Sequence, residues 1–276
     1  MLMNLHTHTY HSYDGAKETV ADRVRIAKLL GLRVMAVTDH VELNRFYPAE
    51  HYNAVESQQF LFDFGKTFAE SVEETAREQA QCDGLILLTG AELGQITSDV
   101  PLARRLYEDP RVDIILASVH EMHDLPDFYF LDYGKIDIKR LIDDYFEEAL
   151  RTASLDCFDV FAHLTYGLRY MPNREQFDLT PYDSVLDDIL RTLAINGKAL
   201  ELNGSGLKKK IPYTDPDFRI VKRFRELGGQ YLTISTDAHE SAFLGYRLDE
   251  LEDMARAAGF DALTYYRRHE PIPMPL

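Results

Sequence analysis

Cysteine is scarce in this chain of 276 residues: Cys82 and Cys157 lie far apart and suit neither a disulfide framework nor a Cys-rich zinc site. Long apolar runs are missing too, since none approaches the ~18 residues needed to cross a bilayer. The N-terminus has no basic stretch followed by an apolar run, so no signal peptide is expected and the protein is read as cytoplasmic. Positive charge is in short supply: 30 Lys and Arg stand against 46 Asp and Glu, a formal net charge of −16. The one basic run, Lys208-Lys209-Lys210, is too short to track a nucleic-acid backbone. Neither nucleic acid nor a membrane is therefore an expected partner, and the oligomeric state is left open. Part of the acidic excess is only apparent if carboxylates hold divalent cations.

What the chain does contain is regular alternation. Short apolar runs at 3–8, 34–39, 85–92, 113–120, 159–163, 198–203 and 231–237 read as strands. Helical periodicity fills 19–31, 57–82, 98–109, 135–155, 182–196, 215–228 and 247–258. In the first of these Val20, Val24, Ala27 and Leu30 recur on one face before Gly31 stops it. Strands alternating with helices predict a parallel α/β architecture. The absence of any linker-like stretch predicts one barrel domain over 1–276 rather than two domains. Helix-to-strand turns are tight, as at Asn196-Gly197, whereas the strand-to-helix loops 41–56, 121–134, 164–181 and 204–216 are long. In a barrel those long loops gather at the carboxyl end of the strands, where such folds place their chemistry.

The residues ending the strands give that rim its character. They are His6-Thr7-His8, Thr38-Asp39-His40, Gly90-Ala91-Glu92, Ser118-Val119-His120, Phe161-Ala162-His163 and Ser235-Thr236-Asp237-Ala238-His239. Alternation puts His6 and His8 on one face, able to share an ion, and Asp237 and His239 stand in the same relation. Any one piece has a bland alternative: a satisfied strand histidine, or a helix cap at Asp39. Convergence of all of them on one rim points to a multinuclear metal site. Imidazole with carboxylate suits zinc, iron or manganese, and Glu92 among histidines is a natural bridge because its two oxygens can each take one cation.

This series, with Asp14-Gly15, resembles the PHP (polymerase and histidinol phosphatase) superfamily in order and spacing over nearly the whole chain. The stretches Ala117-Ser118-Val119-His120-Glu121, Ala162-His163-Leu164-Thr165-Tyr166, Ala199-Leu200-Glu201-Leu202-Asn203 and Leu227-Gly228-Gly229 look most like the monofunctional histidinol-phosphatases. The resemblance implies a distorted (β/α)7 TIM-like barrel with three divalent ions at the C-terminal end of the strands. It implies that His6, His8, Glu92 and Asp237 hold the first ion, and that Glu92 bridges to a second held by His120 and His163. Asp14, His40 and His239 would hold the third; Asp14 also reads as a turn residue in Asp14-Gly15. Glu92, Asp237 and His239 are the expected catalytic residues. The reaction is expected to be in-line attack of a metal-bridging hydroxide on a phosphate monoester.

Expected substrate contacts are Arg169, which matches a phosphate-binding position of those phosphatases, together with Glu201, Asn203 and Lys208. Arg169 also reads as a surface arginine, and Lys208 as part of a solvated loop with Lys209 and Lys210. Glu201 and Asn203 share a face by alternation, so they are substrate contacts, supports of the site, or rim residues. Where the resembling enzymes commonly carry a second arginine after Asn203, this chain has Gly204-Ser205-Gly206. The loop 121–134, with Asp124, Asp127, Asp132 and several aromatics, suits a cationic small molecule. His11, His51, His123 and His269 are read as non-ligands. The leading expectation is a histidinol-phosphatase acting on a small-molecule phosphate ester. The alternatives are a related phosphoesterase for phosphotyrosine or nucleotides, and a metal-stabilised interaction module without activity.

Overall fold

A computed structural model describes residues 2–44, 63–123 and 125–276. His51, Asp124 and residues 57–62 of an expected helix lie outside the described residues.

The strands β1 (Leu2–Asn4), β2 (Leu32–Val37), β3 (His40–Glu42), β4 (Ile86–Gly94), β5 (Ile114–Ser118), β6 (Val160–Phe161), β7 (Ala199–Asn203) and β8 (Leu232–Ser235) build one parallel sheet. Its order is β1-β2-β4-β5-β6-β7-β8, with β3 continuing beside β4 beyond the end of β2. The sheet curls into a nearly closed barrel. Past the strand ends, Leu5 N–H donates to Ile234 O at 3.2 Å and His8 N–H to Ala238 O at 3.0 Å, which draws β1 against β8.

Each βα unit starts and stops on local chemistry. α1 (Val20–Leu29) opens on a capping box in which Thr19 accepts from Asp22 N–H and Asp22 reaches back to Thr19 N–H. Gly31, at φ 74°, then ends the turn after it, a conformation open to glycine at little cost. Aspartates cap α2 (Phe64–Gln79), α3 (Val100–Tyr107), α4 (Ile138–Ala153) and α6 (Phe218–Glu226) through Asp63, Asp99, Asp137 and Asp217. α5 (Asp183–Ile195) and α7 (Leu248–Ala257) complete the outer layer. In α4 the buried residues Leu141, Ile142, Tyr145, Phe146 and Ala149 form one stripe at helical spacing. Each large member contributes roughly 1.5–3 kcal/mol on removal from water.

Two features differ from expectation. The expected loop at 41–56 begins with strand: β3 pairs with β4 so that His40 lies opposite Glu92 and Glu42 opposite Gly94. The chain also ends in an antiparallel hairpin of β9 (Ala262–Arg267) and β10 (Glu270–Pro275). Prolines 271, 273 and 275 argue against a strand, but they occupy alternate positions of an edge strand that need no ladder donor. The hairpin turn closes the amino end of the barrel, where His269 N–H donates to Asp113 O at 2.9 Å and its Nδ1 meets Asp159 at 2.8 Å.

Candidate metal centre

Glu92 is the hub. Fully buried near the end of β4, it presents Oε2 to His6 Nε2 at 3.1 Å and to His40 Nδ1 at 2.8 Å. Its Oε1 meets His120 Nε2 at 3.0 Å and His163 Nε2 at 2.9 Å. Asp237 lies 3.3 Å from His8 and 3.7 Å from His6. At the rim Asp14 faces His239 at 3.2 Å and His40 at 3.6 Å. Every residue expected as a ligand thus enters one cluster.

Among the described residues four donor groups emerge: His6 with His8 and Asp237, His6 with Glu92 and His163, His40 with Glu92 and His120, and His8 with His40 and His239. The ligand sets implied by resemblance divide these residues differently and add Asp14, which enters none of the four groups; His8 and His40 each stand in two of them. Their rings stack at 4.2 Å, as do those of His8 and His239.

The donors fit divalent cations. His6 Nε2, His8 Nε2, His40 Nδ1, His163 Nδ1 and Glu92 Oε2 are buried without a hydrogen-bond partner, which is costly unless something else binds them. Burial alone disfavours charge on these rings, and it holds His8 low with help from the neighbouring His239 and His40. For His6 and His120 burial is outweighed by Glu92 and its companion carboxylates, which raise both. Glu92 and Asp14 do the same for His40, which is raised to about 9. Without metal, the site's carboxylates draw protons onto the imidazoles; cations can supply that positive charge instead.

A shell of supports holds the rings. Glu201 Oε1 accepts from His6 Nδ1 at 2.9 Å and its Oε2 from His163 N–H at 2.7 Å. Asn203 Nδ2 donates to the same carboxylate at 3.2 Å. Glu42 Oε1 meets His120 Nδ1 at 2.8 Å. Ser12 Oγ receives His8 Nδ1 and His40 N–H, both at 3.1 Å, and donates to Asp39 at 2.8 Å. Asp39 also accepts from Thr9 and Ser71, so it braces the loop while its neighbour His40 enters the cluster. On His6, His8 and His120 an N–H on Nδ1 leaves Nε2 free for an ion, whereas His40 turns its Nδ1 toward Glu92. His163 at φ 25° and Asp237 at φ 52° adopt left-handed backbone, costing ~1–3 kcal/mol each and sustained by this surrounding network.

The PHP domain matches residues 4–205. The chain belongs to the PHP family. Two relatives of this PHP protein are a probable histidinol-phosphatase of Thermotoga maritima, 28% identical with 95% of each chain covered, and a histidinol-phosphatase of Lactococcus lactis, 26% identical over 96% of this chain and 94% of that one. In fold it resembles the crystal structure of L. lactis histidinol phosphate phosphatase complexed with zinc, L-histidinol and phosphate. The TM-score is 0.80 at 23% identity, covering 98% of both chains. A putative histidinol phosphatase from Listeria monocytogenes gives a TM-score of 0.71 at 17% identity, over 90% of this chain and 99% of that one.

The PHP cluster opens into a narrow cavity of about 70 Å³ whose lining includes Tyr13, Asp127, Tyr166, Arg169 and Tyr170. A wider hollow of about 800 Å³ beside α4 contains none of the cluster residues. Arg169 lies beside the cluster: Nε bonds Asp215 at 2.9 Å, Nη1 bonds Asp237 at 3.0 Å, and Nη2 is buried without a partner. Burial opposes its charge, but Asp215 and Asp237 keep it firmly protonated. Lys208 stands outside the cavity lining, with Nζ 4.4 Å above the Phe243 ring. Glu201 and Asn203 also do not line the cavity; they support His6 and His163 from behind. Of the expected non-ligands, His11 bonds Glu74 at 2.8 Å, and His269 sits at the opposite end of the barrel.

Proposed function

We propose that this PHP protein is a metal-dependent phosphomonoesterase whose substrate is L-histidinol phosphate, yielding L-histidinol and phosphate. The observation that carries the reading is Glu92, with two imidazoles at each oxygen, beside the unpartnered Nη2 of Arg169. The relatives named histidinol-phosphatase match nearly the full chain, which supports the substrate.

Up to three divalent ions, of zinc, iron or manganese, would be held by His6, His8, Asp14, His40, Glu92, His120, His163, Asp237 and His239. When bound, such ions supply Lewis acidity that activates water and takes up phosphoryl charge. The chain contributes the rest. Arg169 offers Nη2 to a phosphoryl oxygen while Asp215 and Asp237 fix its plane, a geometry suited to the guanidinium fork. Glu201, Glu42 and Ser12 hold the rings of His6, His120 and His8, so little reorganisation is needed as charge develops. Among the described residues Arg169 is the arginine lining the cavity, and the positions directly after Asn203 are Gly204-Ser205-Gly206, with both glycines buried.

The test is phosphate release from L-histidinol phosphate, a phosphotyrosine peptide and a nucleotide, with manganese added. Preference for histidinol phosphate is expected. Comparable turnover of all three would keep the phosphatase and overturn the substrate.

A further inference from the structure

The metal cluster is least enclosed at its rim. Side chains of His239 and Asp14 are 30% and 39% exposed, whereas Glu92 is fully buried. Asp14 comes from the loop after β1 and His239 from the loop after β8, the two strands that meet where the barrel closes. An ion held between them depends directly on the span across that seam.

The first of these loops is firm within itself. Ser12 N–H donates to Thr9 O at 3.1 Å and Gly15 N–H to Ser12 O at 3.2 Å. Gly15 packs so tightly that an added Cβ would overlap the Thr9 carbonyl oxygen. The segment therefore shifts as a unit, and whatever anchors its far end also places Asp14.

That anchor is Glu18. Its Oε2 accepts from Ser241 N–H at 3.0 Å and from Ser241 Oγ at 2.8 Å, just beyond His239. One backbone bond runs alongside, from Ala16 N–H to His239 O at 3.0 Å. Glu18 precedes the Thr19 cap of α1, and Arg23 follows four positions after that cap. A hydrophobic staple ordinarily joins these two positions and fixes how the chain enters the helix. Here an ion pair takes its place, with Arg23 Nη1 3.2 Å from Glu18 Oε2.

Arg23 makes this a strong hold. Its side chain is fully buried beside Val20, Val24 and Ala27, and among the described residues its three guanidinium nitrogens have no hydrogen-bond partner. A buried cation is costly without a counter-charge. Burial lowers the pKa of Arg23, and Glu18, ahead of Asp39 and Glu240, opposes that shift. The carboxylate is thus kept at the seam instead of turning out to water.

We propose that Glu18, clamped between Arg23 and Ser241, is a positioning residue that fixes the span from Asp14 to His239 and so sets how tightly the outermost ion is held. This rests on the metal-dependent reading, and it makes one ion separately adjustable from those at Glu92. Glu18 itself belongs to none of the donor groups and does not line the cavity.

Removing Glu18 outright would strand a buried arginine and endanger the fold, so the test acts on its partner. Ser241→Asp sets a second carboxylate against Glu18 and drives the loops apart while leaving Arg23 paired. Chelator-stripped, full-length protein is titrated with manganese, and each binding step is followed by calorimetry. The wild type should take three ions. In Ser241→Asp the weakest step should loosen roughly 10-fold, the lower end of the range for a lost outer support. The other steps should stay within about twofold, and excess manganese should restore phosphate release. Ser241→Asn, of like size but neutral, should loosen the weakest step less.

Equal loosening by Asp and Asn would assign the effect to bulk and overturn the role of Glu18. So would an unchanged titration, or a uniform loosening of every step, which marks a general brace. Two ions or fewer on the wild type would overturn the proposal and leave the phosphatase standing. No manganese bound at all would overturn the metal-dependent reading as well.

Discussion

Glu201 holds His6 from behind: its Oε1 lies 2.9 Å from His6 Nδ1, while His6 Nε2 points into the cluster. The same carboxylate takes the His163 amide at 2.7 Å, so one side chain sets two of the expected ligands. Glu201→Ala should lower metal affinity by about 10–100-fold, the usual cost of losing such a support. Glu201→Gln, which keeps an acceptor, should fall in between. Competition against a graded chelator measures this directly. Unchanged affinity in the alanine variant would mean that packing alone orients His6.

Removing Glu92 should have a different signature. Its oxygens face His6, His40, His120 and His163, so Glu92→Ala strips the carboxylate from two of the four donor groups. Turnover should disappear and elemental analysis should find fewer ions per chain, while far-UV circular dichroism stays as in the wild type. Normal activity in this variant would sink the bridging role.

The strand-end residues were legible in the sequence because a parallel barrel gathers its carboxyl ends and strand alternation pairs His6 with His8. All nine expected ligands meet in one cluster for that reason. The supports were harder to read. Glu42 falls in what looks like the start of a long loop, and only its pairing opposite Gly94 in β3 brings it to His120. Ser12 acts through a turn that folds back on Asp39, which no periodicity signals. The closing hairpin was hidden by its prolines. Glu201 and Asn203 share a face by alternation, but alternation does not say whether that face meets the cavity, the backs of the histidines or the rim.

Acid should act on a second carboxylate. Asp215 is buried, which opposes its charge, but Arg169 and Arg174 outweigh this and hold its pKa below the ordinary value. A folded-state pKa depressed in this way stabilises the protein above the unfolded pKa of about 3.9, and that stability drains away as pH falls through the folded value. In chelator-stripped protein at pH 7, Asp215→Asn should cost roughly 3–5 kcal/mol, because two arginines lose a buried partner. Denaturant melts should show that gap shrinking below about pH 4 as the wild-type carboxylate protonates. A gap of the same size at pH 3 and pH 7 would assign the loss to packing rather than charge.

Gly94 and Glu42 give the sharpest test of the support behind His120. They are register partners across β3 and β4, and a Cβ built on Gly94 would overlap the Glu42 carboxylate. Glu42 is 8% exposed and committed to His120 Nδ1 at 2.8 Å, so it cannot swing aside without releasing that ring. Gly94→Ala should therefore mimic Glu42→Ala, weakening metal binding by about 10–100-fold as His120 loses its acceptor. The two changes act on one contact and should not add. Once Glu42 is alanine the added methyl has room, and the stability cost of Gly94→Ala should shrink by ~1 kcal/mol or more. A double-mutant cycle read by chelator competition and by melting measures both. Full additivity would place the role of Gly94 in the β4 backbone and separate it from the metal centre.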